Sequence, residues 1–260
     1  METEPLQVTS DDGVATIVIN RPARKNAITQ AMWVELAAIV GRLSSDSATR
    51  VIVLRGKGND FSAGADISEF DTLRGTAESA RAYEATNSAA FAALRNCAIP
   101  VIAAIRGICF GGGFGLAAAC DLRIATPEAQ FSVPAARLGL AYPHDAMGDI
   151  VSAAGPQMAR YLTYTAGRID AQAALSAGFL VEIVAAEEFD GRIADIARAI
   201  ARNAPLSIKA SKAAIRAALS HDPNEATLAQ SLGDATFLSE DYAEGRAAFH
   251  GKRAPRFRGR

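Results

Sequence analysis

Two glycine-containing segments offer backbone N–H groups that could do chemistry in this sequence. The first runs from Phe61 to Ile67, and the second runs from Gly107 to Gly115. In the second, three consecutive glycines precede an alanine-rich run, so free N–H groups should lie at a helix start, where negative charge is favoured. The alternative interpretation is structural: the glycines allow a helix to pack closely on a strand, and Asp66 caps a helix that begins at Ile67.

Side chains offer fewer recognisable sites than these backbone segments do. The three histidines lie far apart and the three cysteines form no CxxC pair, so neither a metal site nor a disulfide framework is expected. The motifs GxGxxG, GxxxxGKS/T, GxSxG and HExxH are all missing. The sequence therefore argues against the dinucleotide-binding, P-loop, nucleophile-elbow and zinc-peptidase classes.

Composition and charge favour a globular protein without a nucleic-acid or membrane partner. Hydrophobic residues make up 50% of the 260, and 27 basic residues face 28 acidic ones, which leaves no net field to gather nucleic acid. Residues 1–13 are polar and acidic, unlike a secretory signal, and the longest uncharged stretch, Gly107 to Cys120, is too short to cross a bilayer. Because the cysteines are unpaired as well, we expect a cytoplasmic location.

The elements that must position the glycine segments alternate between strands and helices. Strands are predicted at 14–20, 51–56, 101–107, 121–125 and 129–133. Thr29 should cap a helix whose apolar residues extend to Leu43, and a second helix is predicted from Glu78 to Asn96. Two strand–loop–helix units of this kind predict an α/β fold.

Beyond Gly155 the pattern becomes almost entirely helical. Helices are predicted at 156–166, 171–177, 189–202, 206–219, 225–239 and 241–250, with one strand-like run from Leu180 to Val184. We therefore expect a core over residues 1–190 and a helical region over 191–260 that packs against the core or a neighbouring subunit. The basic end, Lys252 to Arg260, is either a solvated tail or an anion-binding segment.

Taken in order, four groups of motifs resemble the enoyl-CoA hydratase/isomerase family, the crotonase superfamily. They are Asn20-Arg21-Pro22 with Asn26-Ala27, the segment Phe61–Ile67, the segment Gly107–Gly115 with Cys120-Asp121, and the ending Glu244–Arg253. The resemblance implies a spiral of ββα turns followed by a helical trimerisation region, assembled as a trimer or a dimer of trimers. It also implies an acyl-CoA substrate, with no separate cofactor and no metal.

The same resemblance implies which residues contact the substrate. The backbone N–H groups of Ala65 and Gly112 would bind the thioester oxygen, because two preorganised donors stabilise an enolate oxygen more than a ground-state carbonyl. The CoA-binding residues would be Arg24 and Lys25 near the phosphates, Ala63, Ala65, Asp66 and Ile67 at the adenine, and Phe249 and Lys252 from a neighbouring subunit.

Two positions depart from the family pattern. Typical hydratases carry one glutamate on the helix after the glycine run and another after a proline in the next loop, whereas this sequence has Gly115 and Ala135 there. We expect a substitute base at His144 or Asp145, since histidine acts near neutral pH and an adjacent carboxylate could orient it. The alternative is that this loop is an ordinary surface turn. Weaker candidates are Glu69, Arg137, Tyr142 and Asp149.

The sequence leaves the reaction open. The first hypothesis is an enzyme of the hydratase/isomerase group broadly, with double-bond isomerisation, retro-Claisen cleavage, decarboxylation or thioester hydrolysis as alternatives. The second is a non-catalytic acyl-CoA binder, since both usual acids are absent. A third, RNA binding through the basic tail, fits poorly with the nearly neutral overall charge.

Overall fold

The computed structural model describes residues 4–260 and contains two β-sheets with helices packed around them. The strands are β1 Leu6–Asp11, β2 Val14–Ile19, β3 Val51–Gly56, β4 Val101–Ile105, β5 Ile108–Phe110, β6 Leu122–Ala125, β7 Gln130–Ser132, β8 Arg168–Asp170 and β9 Glu182–Ile183. The helices are α1 Gln30–Ser45, α2 Phe70–Leu73, α3 Ala77–Arg95, α4 Gly112–Ala119, α5 His144–Thr165, α6 Ala171–Ser176, α7 Phe189–Ala201, α8 Pro205–Ser220, α9 Pro223–Phe237 and α10 Glu240–His250. Residues 1–3, the start of the segment considered for an export signal, lie outside the described residues.

The larger sheet brings both glycine segments to one edge. Its strand order is β1-β2-β3-β4-β6-β9, in which β1 and β2 are antiparallel and the other neighbours are parallel. β3 and β4 are nearly continuous apolar runs because both faces of the sheet are covered there. Since they are parallel neighbours, their carboxyl ends lie side by side, and one glycine segment follows each of them.

The smaller sheet holds the second glycine segment. β5 pairs in parallel with β7, and β7 pairs antiparallel with β8. A single bridge between Ser62 and Cys109 ties the first glycine segment to β5. The two segments are therefore joined by backbone pairing as well as by their common position at the edge of the larger sheet.

Apolar side chains fill both faces of the larger sheet. Ile52 and Leu54 of β3 belong to the main core beneath α1, α3 and α4, whereas Val51 and Val53 point to the other face. On that second face, α7 packs Phe189 against the strands. The expected division after residue 190 thus falls inside a helix that packs with the core, and the purely helical region begins at α8.

The helices α8 and α9 pack mainly on each other. Neither of them contributes a buried residue. The large apolar side chains that they and the following residue leave exposed are Ile215, Leu219, Leu228, Phe237 and Leu238. None of the helices within residues 4–260 is long and apolar enough to cross a membrane.

The basic carboxyl-terminal segment is bound back onto α10. Arg253 donates to both carboxylate oxygens of Glu244, at 2.6 and 2.7 Å, and together with the Arg256 N–H it lowers the pKa of Glu244 to about 2. The buried carboxylate of Asp241 accepts the N–H groups of Arg258 and Gly259. Part of the positive charge of this segment is therefore balanced within the chain, which weakens the RNA-binding hypothesis.

The predicted α/β fold and the helical carboxyl-terminal region are confirmed. Thr29 caps α1 as predicted, because its side chain accepts a hydrogen bond from the Met32 N–H. The sequence patterns missed β1, β5 and β8: β1 buries little beyond Leu6, and the other two have three residues each. They also missed the first half of α5, which starts at His144, because Gly155, with a φ of 75°, kinks this helix instead of ending it.

Candidate active site

A cavity of about 150 Å³ lies where the two glycine segments meet. Its walls come from the first segment, from α2 and α3, from the start of α4, and from the loop between β7 and α5. Aromatic and aliphatic side chains make most of the wall apolar, and four side chains supply polar groups. These four are Arg74, Glu84, Asn87 and Tyr142. An apolar cleft with a few polar groups is the usual form of a small-molecule site.

Asn26 and Ser62 hold the first glycine segment in place. Asn26 is fully buried, and its Nδ2 donates to the carbonyls of Lys57 and Asp60 at 3.0 and 2.6 Å. The Ser62 hydroxyl donates to the Asn26 carbonyl at 2.8 Å and accepts the Gly64 N–H at 3.0 Å. Because buried hydrogen bonds of this kind are costly to break, the conformation of the segment is fixed by the protein itself.

Asp66 anchors the far end of the same segment. Its carboxylate lies 2.8 Å from Nη1 of Arg21 and accepts both the backbone N–H and the hydroxyl of Ser68. Burial opposes the charged form, but the hydrogen bonds from Ser68 and Arg21 outweigh it and lower the pKa of Asp66 below its ordinary value. The side chain is thus occupied within the protein, and so is the backbone, since the Asp66 N–H donates to the Ile28 carbonyl at 2.9 Å and the Asp66 carbonyl accepts the Glu69 N–H at 3.1 Å.

The N–H groups of Ala65 and Gly112 donate to no other atom of residues 4–260, and both residues line the cavity. A Cβ built on Gly64, whose φ is 90°, would lie 2.7 Å from the Gly112 nitrogen. A Cβ on Gly112 would lie 2.9 Å from the ring of Trp33 and 3.5 Å from the Ala65 nitrogen. Glycine at 64 and 112 therefore allows two free donors to lie close together at the start of α4, where the helix dipole favours negative charge.

Gly115 and Tyr142 fill one space together. A Cβ on Gly115 would overlap the Tyr142 hydroxyl oxygen and would lie 2.8 Å from Cζ of Phe91. That hydroxyl donates to the Gly111 carbonyl at 3.0 Å, and burial raises the pKa of Tyr142, so the phenol is neutral. The space beside Gly115 is thus occupied by a tyrosine from the loop before α5, while Ala135 lines the cavity as a methyl group.

The structure places neither His144 nor Asp145 in this cavity. Both side chains are exposed at the start of α5. Asp145 accepts the Ser88 hydroxyl at 3.1 Å and lies 4.0 Å from Arg95, on the wall of a separate cleft. Helix α5 begins at His144 and carries these two residues away from the glycine segments, so the geometry does not support them as the substitute base.

Two of the weaker candidates also have other partners. Asp149 is buried beside Arg95 at 2.6 Å, and burial raises the pKa of Asp149 to about 6. Glu69 accepts the Gln30 N–H at 2.8 Å, at the start of α1. Neither residue lines the cavity, so both contribute to the packing of helices around it.

Sequence reasoning missed Arg74 and Glu84, the charged side chains that do line the cavity. Glu84, Asn87 and Phe91 are spaced three and four residues apart on α3, so they share one face of that helix. That spacing was readable within the predicted helix 78–96. What the sequence did not show is that this face lies over the glycine segments.

The residues implied for CoA binding separate into two groups. Ala63, Ala65 and Ile67 line the cavity, and exposed Arg24 and Lys25 precede Asn26 in the loop that pairs with this segment, since Ala63 N–H donates to the Lys25 carbonyl at 2.9 Å. Phe249, with 82% of its surface exposed, and Lys252 lie at the end of α10 and do not line the cavity of their own chain.

Comparisons with known proteins point to one family. The family model described as enoyl-CoA hydratase/isomerase matches residues 9–260. A short-chain-enoyl-CoA hydratase of Clostridium acetobutylicum is 33% identical over 256 residues, which cover 97% of this chain and 97% of that protein. A peroxisomal Delta(3,5)-Delta(2,4)-dienoyl-CoA isomerase of Arabidopsis thaliana is 29% identical over 271 residues, which cover 98% of this chain and 96% of that protein.

A solved structure shows the same fold. The crystal structure of an enoyl-CoA hydratase/carnithine racemase from Magnetospirillum magneticum matches with a TM-score of 0.92 and 37% identity, over 100% of this chain and 97% of that one. The chain belongs to the enoyl-CoA hydratase/isomerase family, as the ordered motifs predicted. It is an enzyme of the hydratase/isomerase type.

The shared space of Gly115 and Tyr142 can be tested by stability. Gly115→Ala should lower the free energy of unfolding by about 1–3 kcal/mol, because the added methyl group meets Tyr142 and Phe91 in a packed interior. Gly148→Ala is the matched control: it also lies in a helix, but its Cβ would have no neighbour within 4 Å. The control should be neutral or stabilise by up to about 1 kcal/mol. Urea unfolding measures both variants.

A second substitution isolates the hydroxyl. In the Gly115→Ala background, Tyr142→Phe should recover part of the lost stability, since it removes the atom that the new methyl group overlaps. Equal stability of the Gly115→Ala and Gly148→Ala proteins would contradict the packing described here.

Proposed function

We propose that the N–H groups of Ala65 and Gly112 bind the thioester oxygen of an acyl-CoA and stabilise the enolate formed from it. The supporting observation is that these two donors are free, lie close together and border an apolar cavity. Donors held in place by the fold need no reorganisation as the charge develops on oxygen. They therefore stabilise the enolate more than the thioester carbonyl of the ground state.

The reaction we propose is isomerisation of a carbon–carbon double bond in an enoyl-CoA. Gly115 and Ala135 carry no acid, so addition of water by two glutamates is not available. Isomerisation needs one base, which removes a proton from one carbon and returns it to another. One similar relative is named a dienoyl-CoA isomerase, which is a precedent within the family for shifting double bonds.

Glu84 is the base in this proposal. Of the titratable groups that line the cavity, an arginine such as Arg74 stays protonated, and the raised pKa of Tyr142 keeps its phenol neutral. Glu84 is half-buried and forms no ion pair with any residue in the described range 4–260. Glu84 precedes Phe91, which touches the position of Gly115, by seven residues, or about 10 Å along the helix axis. Its carboxylate would therefore accept a proton from a carbon farther along the acyl chain than the α-carbon, through a water molecule.

The CoA nucleotide is proposed to bind at the rim of the same cavity. The backbone of residues 63–67 would hold the adenine, with Arg24 or Lys25 at the phosphates. Phe249 and Lys252 would come from a neighbouring chain in a trimer or a dimer of trimers. The exposed apolar side chains of α8 and α9 support such an assembly, because a surface of this kind is usually covered by a partner.

Removal of one donor tests the enolate site. Ala65→Pro replaces the N–H with a ring carbon and should slow the reaction about 10²–10³-fold, as loss of an oxyanion donor does elsewhere. Ala65→Gly keeps the donor and should retain activity within about tenfold. Mass spectrometry of saturated, 2-enoyl, 3-oxo and malonyl-type CoA thioesters in heavy water reports deuterium uptake and double-bond movement.

The outcomes separate the alternatives. Circular dichroism of Ala65→Pro must match that of the parent protein for the comparison to count. Equal rates for the Pro and Gly variants would contradict the donor role. If the parent protein binds CoA thioesters but changes none of them, the binder hypothesis replaces the proposed enzyme.

A second comparison tests the base. Glu84→Gln should slow deuterium uptake from heavy water about 10²–10⁴-fold, because the amide cannot accept the proton. His144→Ala should leave the rate within a factor of about two, since that side chain lies outside the cavity. The reverse pattern, with loss in His144→Ala and retention in Glu84→Gln, would restore the substitute base expected from the sequence.

The CoA site and the assembly are tested together. Lys25→Met and Lys252→Met should each lower the affinity for acyl-CoA about two- to fivefold, as expected for loss of an exposed ion pair. The affinity for the matching acyl-pantetheine, which lacks the nucleotide, should not change. Lys209→Met, a substitution of an exposed lysine of α8, is the control.

The assembly is tested by sedimentation, which should give three or six chains per particle. A monomer whose affinity depends on Lys252 would refute the contribution of a neighbouring chain.

A further inference from the structure

The cavity wall contains an arginine, Arg74, which the binding of an apolar acyl chain does not require. Arg74 follows α2, and its guanidinium lies 4.6 Å from the ring centre of Phe70 and 5.3 Å from that of Tyr83. Because the two rings are nearly perpendicular to each other, they attract the guanidinium from two sides and hold its position. No carboxylate within residues 4–260 lies within ion-pair distance of it. Its hydrogen-bond donors are thus held in the cavity wall without a protein acid to receive them.

Asn87 supplies a second polar group without a partner. Its Oδ1 is buried and accepts no hydrogen bond, although the residue lines the same cavity. A buried acceptor without a donor is destabilising unless a ligand or water provides one. The cavity therefore presents unused hydrogen-bonding capacity of both kinds, a donor at Arg74 and an acceptor at Asn87.

Arg74 lies away from the thioester end of the cavity, and Asn87 lies between the two. Phe91 marks that end, since it touches the position of Gly115. Tyr83, on which Arg74 rests, precedes Phe91 on α3 by eight residues, which is about 12 Å along the helix axis at the usual rise. A group bound by Arg74 would accordingly be several bonds from the thioester carbon.

We propose that the acyl group of the substrate carries an uncharged oxygen function, a ketone or a hydroxyl, remote from the thioester, and that Arg74 and Asn87 bind it. This inference rests on the proposed acyl-CoA site and adds the class of acyl chain. An arginine donates to a ketone or hydroxyl oxygen, and Asn87 Oδ1 accepts a hydroxyl proton. A second carboxylate fits less well, because Glu84 already places a negative charge in the same cavity.

Three thioesters of nearly equal shape test the proposal. They are 5-methylhexanoyl-CoA, 5-oxohexanoyl-CoA and glutaryl-CoA, which end in an apolar branch, a ketone and a carboxylate. Calorimetric titration of the full chain should show the oxo thioester binding about tenfold more tightly than the methyl one, the factor expected for a hydrogen bond to a charged donor. Arg74→Met should abolish this preference and leave the affinity for the methyl thioester unchanged.

Two further variants serve as controls. Arg81→Met removes an exposed arginine of α3, the helix that carries Tyr83 and Asn87, and should keep the preference. Asn87→Leu leaves the stacked arginine in place and should reduce the preference for 5-hydroxyhexanoyl-CoA over the methyl thioester. These two variants distinguish loss of a specific contact from disturbance of α3.

Each remaining outcome is decisive. Equal affinity of the parent protein for the oxo and methyl thioesters overturns the inference. A loss of affinity for all the thioesters in Arg74→Met also overturns it, because the arginine would then serve packing or bind the pantetheine arm. Tighter binding of glutaryl-CoA than of the oxo thioester overturns the assignment of an uncharged group. Failure of all the thioesters to bind would instead reject the acyl-CoA site itself.

Discussion

The close contact between the two glycine segments is the constraint on which the rest of the site depends. The Cα of Gly64 approaches the Gly112 nitrogen so closely that a Cβ would lie 2.7 Å away, and Gly112 lies just as tightly against Trp33. Two backbone N–H groups can be adjacent and unpaired only where no side chain separates them and other bonds hold the chain. Asn26 and Ser62 provide those bonds from buried positions. The parallel pairing of β3 and β4 then delivers both segments to the same edge.

Glycine at position 115 is explained by the same dense packing. The neutral phenol of Tyr142 occupies the space in which a side chain at 115 would begin, and its hydroxyl bonds to the carbonyl of Gly111. That carbonyl and the Gly112 N–H belong to the same peptide unit, so the tyrosine helps to orient one of the two donors. The neutral tyrosine thus supports the backbone at the start of α4, and the same tyrosine leaves no room for a longer side chain at position 115.

Charge is distributed unevenly around the cavity. Several buried or partly buried acids outside it are paired with arginines: Asp66 with Arg21, Asp149 with Arg95, and Glu244 with Arg253. Arg74 and Glu84, which line it, have no such partner within residues 4–260. Charged groups that are left unpaired in an apolar wall lose stabilising contacts, and such positions are typical of sites that bind or react. The wall formed by α2 and α3 is therefore where the cavity presents charged groups to a bound molecule.

The sequence alone determined the family, the strands that carry the glycine segments and the cap at Thr29, because motifs and periodic patterns are local properties. It did not determine which titratable groups reach the cavity. His144 and Asp145 come directly after the loop that lines the cavity, the loop between β7 and α5. Helix α5 begins at His144, however, and leaves both side chains exposed. Glu84 is distant in sequence, yet the packing of α3 over the main core brings it to the cavity wall. Only the tertiary structure decides such matters, because the direction of a side chain depends on how whole helices pack against one another.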